Sequence, residues 1–283
     1  MLFRSLMNPA SVPKFYGAFR DMVMIKLTQF KYIPKPGAED TVHKVLQPAI
    51  RFTKEDCLDL PEMLYATREV PLTPQQNKYY KVLKEQMMIE AAGEEITTVN
   101  AAVNLNKLLQ LASGSAYTNS GEVVEFDASN RLNALEEIIE ESSHKVLVFA
   151  NFRHGIELIN NHLIKKGYTT GLIHGGVNAG TRAQIFNKFQ TEADPKVLII
   201  QPQSAAHGVT LTAANTIVWW GPVTSYETYA QANARVHRAG QKNKCLVVQL
   251  SGCPVEDKLY RALQQKEKMQ DSIMSLYEEA INS

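Results

Sequence analysis

The sequence contains few cysteines, no long apolar run and almost no net charge. The three cysteines among 283 residues, Cys57, Cys245 and Cys253, form no CxxC pair and no cluster with histidine. This spacing argues against a zinc site or a disulfide framework, so we expect reduced thiols and no bound metal. No apolar run approaches the roughly 18 residues of a membrane span, and the first residues lack a signal-peptide core. We therefore expect a cytoplasmic protein without membrane contact.

The net charge of the protein is too small to attract an acidic partner over a long range. The net charge is +1 at pH 7, and 45% hydrophobic with 21% charged residues is an ordinary globular composition. The protein as a whole has no strong positive field, so any basic surface must be a local patch.

Two patterns that ATP hydrolysis commonly uses are missing as well. No Gly-Lys dipeptide occurs, which excludes a GxxxxGK[ST] phosphate loop within these residues. No Asp-Glu dipeptide occurs either, so one common carboxylate pair for Mg²⁺ and the attacking water is absent.

The first part of the chain has a helical pattern. Residues 1–112 show no convincing strand alternation, and segments 14–27, 74–92 and 99–112 carry apolar residues at helical spacing. Residues 113–126 are rich in Ser, Gly and Asn, which predicts a loop or a short hairpin.

After residue 127, short apolar runs alternate with helical segments. The runs are KVLVFANF, TGLIHGG, KVLIIQ, TIVWWG and CLVVQL, and a long helix is predicted over 255–282. Unbroken Val, Ile and Leu runs are typical of strands that are buried on both faces of a parallel sheet. The pattern therefore predicts a doubly wound α/β domain, whose ligands favour the loops at the carboxyl ends of the strands. Trp219 and Trp220 end one of the runs, which favours core packing over base stacking.

One segment, QANARVHRAGQ at 231–241, stands out by its spacing. Gln231, Arg235 and Arg238 follow at steps of four and three, so on a helix all three would point the same way. Two guanidinium groups suit a polyphosphate because each offers a planar fork of donors and keeps its charge. By spacing alone, a solvated or salt-bridged helix face is the commoner explanation.

This segment resembles the last motif of the Swi/Snf-type superfamily 2 helicases and translocases, Q-x-x-x-R-x-H-R-x-G-Q, at every defined position. KVLVFANFRHGIELINNHL resembles the family's motif IV, and VLIIQPQSAAHGVTLTAANTIVWW resembles motif V. The resemblance extends in order over nearly the whole chain. It implies a second RecA-like lobe at 126–283, preceded at 1–125 by the helical tail of the first lobe and the inter-lobe connection.

The resemblance also implies a nucleotide site. Arg235 and Arg238 would be catalytic arginine fingers that reach ATP held by the first lobe, and Gln231 and Gly208 would belong to the same nucleotide site. ATP with Mg²⁺ is the implied cofactor. Because the phosphate loop and the Asp-Glu box of the family belong to the first lobe, we expect this chain to be a fragment that is inactive alone.

DNA is the implied partner, together with the first RecA-like lobe of the same protein, and we expect a monomer. By position at strand ends and by resemblance, the candidate contacts are Asn151, Arg153, His174, Gly175, Ser204, His207 and Thr210. Contacts to phosphates carry no sequence information, so binding should be sequence-independent and salt-sensitive.

One departure from the family concerns the segment after motif V. Many chromatin-type members have Asp-Trp-Asn-Pro there, whereas this chain has WWGPVTSYETY, which resembles compact phage or bacterial forms. The cytoplasm of a bacterium or of a phage-infected cell is the expected location.

Two other functions remain open at this stage. The chain could be a non-catalytic module that binds nucleic acid or protein. An unrelated nucleotide-binding α/β enzyme is disfavoured, because no glycine fingerprint follows a first strand.

Overall fold

The structure is a computed structural model that describes residues 12–13, 15–47, 59–93, 98–118, 121–206, 208–265 and 277. The chain divides into two compact units, Met1–Asp59 and Leu60–Ser283. Within the described part, no helix combines the length and the apolar character needed to cross a membrane.

The first unit is a small helix and hairpin arrangement. Its elements are helix α1 (Tyr16–Val23), strands β1 (Met24–Lys26) and β2 (Tyr32–Pro34), and helix α2 (Ala38–Leu46). The helix predicted over 14–27 is wrong at its end, because Met24–Lys26 pairs antiparallel with Tyr32–Pro34 and leaves the helix. Residue 14 lies outside the described residues.

The second unit begins with one strand, two helices and a hairpin. These are β3 (Met63–Glu69), α3 (Pro74–Gly93), α4 (Thr98–Ala112), β4 (Ser115–Tyr117) and β5 (Val123–Glu125). The two long helices and the hairpin confirm the predictions for these segments, since β4 and β5 pair antiparallel.

The remaining elements alternate between helix and strand. They are α5 (Ser129–Glu141), β6 (Lys145–Phe149), α6 (Arg153–Lys165), β7 (Thr170–Ile173), α7 (Ala179–Thr191), β8 (Val197–Ile200), a 3₁₀ helix (Pro202–Ala206), β9 (Ala214–Trp219), α8 (Tyr226–Asn233), β10 (Cys245–Ser251) and α9 (Pro254–Gln264). The predicted closing helix 255–282 is described as far as Gln264. Most of its remaining part lies outside the described residues.

Six of these strands form one parallel sheet in the order β3-β10-β9-β6-β8-β7. Successive side chains of β6 enter different cores: Leu147 and Phe149 lie with residues of α4, α8 and α9, while Val146 and Val148 lie with α5 and α6. Both faces of the sheet are therefore covered by helices, which explains the unbroken apolar runs. The predicted doubly wound α/β fold is confirmed.

Strand β3 is an element that the sequence pattern did not reveal. It lies at the sheet edge and pairs in register with β10, from Met63 opposite Cys245 to Glu69 opposite Ser251. Leu64 and Tyr65 are largely exposed, so the segment shows no alternation of buried and exposed side chains. Backbone pairing with β10, which cannot be read from local sequence, fixes this strand. The predicted lobe boundary between residues 125 and 126 stays a prediction.

The strand order creates a crevice between β6 and β9. From β6 the chain continues to β7 and β8 on one side of it, and then crosses to β9 and β10 on the other side. Ligands of doubly wound folds favour the carboxyl ends of the strands at such a switch point.

Candidate nucleotide and nucleic-acid sites

The helix that begins the 231–241 motif ends before the two arginines. Helix α8 covers Tyr226–Asn233, and residues 234–240, the arginine turn, follow as a series of turns. The backbone carbonyl of Arg235 accepts a hydrogen bond from the amide of Leu211 at 2.9 Å, whereas a continuing helix would use it for residue 239. The prediction of one helix under both arginines is therefore wrong, because a tertiary hydrogen bond replaces the helical one.

The arginine turn lies against a second segment, the strap, which we define as residues 208–213 between the 3₁₀ helix and β9. Arg238 Nη1 donates to the carbonyl of Val209 at 3.1 Å and to that of Gly208 at 3.4 Å. Gly208 has a φ of +69°, in the left-handed region that favours glycine. The strap therefore holds the guanidinium group of Arg238 by its backbone carbonyls.

Gln241 fixes the position of the arginine turn relative to the sheet. Its Nε2 donates to the carbonyl of Ala214 at 2.9 Å and to that of Thr212 at 3.3 Å. The side chain is buried, so these bonds are shielded from water. Because Ala214 is the first residue of β9, the arginine turn lies at the end of the sheet where β9 begins.

Gln231 and His237, the other named residues of the motif, make different contacts. Gln231 is exposed on α8, and its Nε2 donates to Glu227 Oε1 at 2.9 Å. His237 Nε2 lies 2.7 Å from the carbonyl of Pro61, which suits a residue that orients the turn. These contacts leave Gln231 at the surface, one helical turn before the arginine turn.

The two arginines of the turn act on each other electrostatically. Partial burial lowers the pKa of Arg235, and the positive charge of Arg238 lowers it further. Both side chains remain partly exposed. Two neighbouring guanidinium groups suit an anion, because their forks of donors match phosphate oxygens.

Three loops meet at the opposite end of the sheet, where β6, β7 and β8 end. Gln201, directly after β8, connects them: its Oε1 accepts from the amide of Gly175 at 3.2 Å, and its Nε2 donates to the carbonyl of Asn151 at 3.3 Å. The carbonyl of Gln201 also accepts from the amide of Ser204 at 2.8 Å. One side chain thus joins segments that contain several of the predicted DNA-binding residues.

The predicted DNA-binding residues differ in their exposure. Asn151 Nδ2 donates to the carbonyl of Pro222 at 2.6 Å, and exposed Arg153 pairs with Glu157 at 2.9 Å. His174 Nδ1 accepts from the amide of Gly176 at 3.1 Å.

Two further candidates belong to the segment after β8. Ser204 is buried within the 3₁₀ helix, whereas Thr210 in the strap is exposed. His207 lies outside the described residues. The structure brings Asn151, Gly175 and Ser204 together through Gln201, while Thr210 belongs to the strap, which leads away from these loops.

Both tryptophans are buried, which confirms the prediction of core packing. Trp219 and Trp220 are 0% and 1% exposed. Trp219 Nε1 donates to Asn233 Oδ1 at 3.0 Å, and Trp220 Nε1 donates to the carbonyl of Ser113 at 2.9 Å. Their indole nitrogens are satisfied inside the protein, so neither ring is presented to a nucleic acid.

The fold is similar to that of solved ATPase domains. The C-terminal part of the Fun30 ATPase domain superposes with a TM-score of 0.63 at 16% identity, covering 79% of this chain and 98% of that one. The Sulfolobus solfataricus SWI2/SNF2 ATPase core, solved in complex with double-stranded DNA, gives 0.61 at 23% identity, covering 85% of this chain and 53% of that one. At these identities the likeness shows the fold, a RecA-like lobe.

Sequence comparison matches part of the second unit to a family model. Residues 130–240 match the family model of the helicase conserved C-terminal domain. Chromodomain-helicase-DNA-binding protein 1-like of Danio rerio is 24% identical over 284 residues, which cover 95% of this chain and 26% of that protein. The part of the chain that matches a helicase C-terminal domain is residues 130–240, less than half of its length. The chain spans about a quarter of the length of that relative.

The arginine turn is a part of the second unit whose chemistry suits a phosphate group. The arginine turn supplies two partly exposed guanidinium groups. Among the described residues, no group of three or more His, Cys, Asp or Glu side chains could hold a metal ion.

Sequence reasoning missed Gln201. The available signal was its position, a polar residue directly after the apolar run KVLII, where a parallel strand ends. Its two partners, Gly175 and the carbonyl of Asn151, become neighbours only through the strand order β6-β8-β7. The spacing of the sequence contains no trace of that order.

Proposed function

We propose that this helicase C-terminal domain is the second lobe of a DNA-dependent ATPase. Arg235 and Arg238 would stabilise the negative charge that develops on the γ-phosphate of ATP held by a first lobe. The observation that supports this proposal is the arginine turn itself, where Arg235 and Arg238 are both partly exposed and a strap carbonyl holds Arg238. An arginine finger contributes about 10³–10⁵ in rate in phosphoryl-transfer enzymes.

The strap and Gln241 give the arginine turn a defined position. Arg238 is bound to the strap carbonyls, and Gln241 ties the turn to the first residue of β9. A finger must be placed before the reaction, because donors fixed in advance need no reorganisation when charge develops. ATP supplies the phosphoanhydride bond that is broken, with Mg²⁺ as its proposed counter-ion. Gly208 takes part through the strap, and Gln231 is proposed to complete the nucleotide contact.

The DNA contacts are proposed for the loops at the other end of the sheet, which follow β6, β7 and β8. There Gln201 joins the segments of Asn151, Gly175 and Ser204, and Arg153 and His174 lie beside them in sequence. Glycine and backbone amides let a phosphate approach closely. The related Sulfolobus core was solved with double-stranded DNA, which supports the same partner here. Binding would be sequence-independent.

Three further properties belong to the same proposal. The chain works as a monomer with a first RecA-like lobe, it comes from a compact phage or bacterial form, and it acts in the cytoplasm. Alone, it does not hydrolyse ATP, since it contains no Gly-Lys or Asp-Glu dipeptide. The alternative is a module that binds nucleic acid or protein without catalysis.

Turnover of the full-length protein separates the proposal from this alternative. Arg238→Ala should lower DNA-stimulated ATP hydrolysis by about 10³-fold or more, because a finger acts on the transition state. The matched control is Arg261→Ala, which removes an exposed arginine from α9 and should leave turnover unchanged. Near-normal turnover of Arg238→Ala would contradict its role as a finger.

A further inference from the structure

The arginine turn has contacts with three segments, and the third segment lies directly before β3. The strap and the first residue of β9 are the two contacts already named. The third contact is made by the imidazole of His237, which follows Arg235 by two residues and directly precedes Arg238. Its Nε2 lies 2.7 Å from the carbonyl oxygen of Pro61, a residue 176 positions away in the sequence. This contact has no part in the function proposed above.

The chemistry of the two groups fixes the direction of this hydrogen bond. A carbonyl oxygen can only accept, so Nε2 of His237 must carry a proton and donate it to Pro61. The neutral tautomer with its proton on Nε2 can do this, and so can the imidazolium ion. The bond therefore needs a donor at this atom of the side chain and does not need a charge.

The acceptor, Pro61, belongs to a segment that the sheet holds in place. The carbonyl of the next residue, Glu62, accepts a hydrogen bond from the amide of Cys245 at 2.9 Å. Met63 then begins the parallel pairing of β3 with β10. The pyrrolidine ring also restricts the φ angle of Pro61 itself. His237 thus ties the arginine turn to the β3 side of the sheet.

We propose that His237 is a positioning residue for ATP hydrolysis, and that its bond to Pro61 sets the place of Arg235 and Arg238. This inference rests on the proposed function, since it needs the two arginines to act on ATP. His237 lies between them in the turn, so a shift of this residue moves both guanidinium groups. A displacement of about 1 Å can cost about 10²-fold in rate, even when the changed residue touches no substrate. Strand β3 thereby contributes to the nucleotide site through a backbone carbonyl.

Steady-state kinetics of the full-length protein test this role through the split between kcat and KM. His237→Phe keeps an aromatic ring but cannot donate, so the kcat of DNA-stimulated ATP hydrolysis should fall by about 10²-fold. The KM for ATP and the DNA dissociation constant should change by less than about twofold, because the arginines act on the transition state. A lower midpoint of urea unfolding with unchanged kcat would show a merely structural role and overturn the inference.

Two amide variants test whether the donor atom matters. In His237→Gln the amide nitrogen reaches about as far from the backbone as Nε2 of histidine, so it can donate to Pro61 and should restore most of kcat. His237→Asn has the same chemistry on a shorter side chain and should have a kcat as low as that of His237→Phe. Lys244→Ala is the matched control, since it removes only the exposed ion pair with Glu62, beside Pro61, and should leave kcat unchanged.

The outcomes separate this inference from the proposed function. Near-normal kcat in His237→Phe, together with lost turnover in Arg238→Ala, overturns the positioning role alone. Near-normal turnover in Arg238→Ala overturns the proposed function and this inference with it. Equal losses in His237→Gln and His237→Phe would show that donation to Pro61 is not what matters, which also overturns the inference.

A spectroscopic measurement decides the matter if His237→Phe does not fold. Long-range proton–nitrogen NMR of this chain with ¹⁵N-labelled histidine reports which ring nitrogen carries the proton, and the signal lost in His237→Gln identifies the residue. A proton on Nε2 is the expected result. A proton on Nδ1 alone would exclude the bond to Pro61 and overturn the inference.

Discussion

Among single residues, Arg131 and Glu256 form an ion pair inside the second unit. Their side chains are 3% and 1% exposed, and the guanidinium group donates to both carboxylate oxygens at 2.8 and 2.6 Å. Arg131 also donates to the carbonyl of Trp220, and Glu256 accepts from the amide of Gly252 at 2.8 Å. Burial by itself lowers the pKa of Arg131, but the Glu256 carboxylate outweighs this effect and raises the pKa. The pair joins α5 and α9 to the ends of β9 and β10.

Removing one partner of this pair should be costly. Glu256→Gln leaves the Arg131 charge buried without a counter-charge, so the free energy of unfolding should fall by about 3–5 kcal/mol. Urea unfolding followed by circular dichroism would measure the change. The double variant Arg131→Met with Glu256→Leu should recover much of the loss, because both charges are gone. A loss below about 1 kcal/mol in Glu256→Gln would show that the pair is no stronger than a surface ion pair.

At the scale of elements, Gln201 determines how three loops are held together. Gln201→Ala removes two hydrogen bonds between loops and should weaken DNA binding about tenfold, with a loss of stability of about 1 kcal/mol. Gln201→Glu still accepts from Gly175 but cannot donate to Asn151, so its DNA affinity should lie between those of the wild type and Gln201→Ala. Gln190→Ala is the matched control, since Gln190 forms hydrogen bonds with Thr212 and Ala213 at the other end of the sheet, just before β9. Anisotropy titrations would show the difference, and unchanged affinity in Gln201→Ala would contradict the role of these loops.

The elements also show how far the sequence leads. Strands β6, β8 and β9 and their helices follow from apolar runs and helical spacing, because both faces of these strands are buried. Strand β3 does not follow, since pairing with β10 decides it while its side chains stay exposed. For the site, the motif predicted two arginines on one helix face, whereas both lie partly exposed on the turn after α8. Their place after α8 depends on a bond between Arg235 and Leu211, which spacing cannot reveal.

For the whole second unit, the two proposed activities lie at opposite ends of the strands of one sheet. The arginine turn lies where β9 begins, and the Gln201 loops lie where β6, β7 and β8 end. Helix α8 and the strap connect the two ends of the sheet. The strap follows the 3₁₀ helix at one end and accepts hydrogen bonds from Arg238 at the other. This arrangement predicts that substitutions in the arginine turn change nucleotide turnover, whereas substitutions in the Gln201 loops change DNA affinity.

DNA-stimulated ATP hydrolysis of the full-length protein carrying Arg235→Ala tests this account most directly, with DNA affinity measured on the same variant. We predict that kcat falls by about 10³-fold or more while the DNA dissociation constant changes by less than about twofold, since the arginine acts on the transition state of ATP. Gln201→Ala should show the reverse pattern, with weaker DNA binding and normal kcat at saturating DNA. Near-normal turnover of Arg235→Ala would contradict the account.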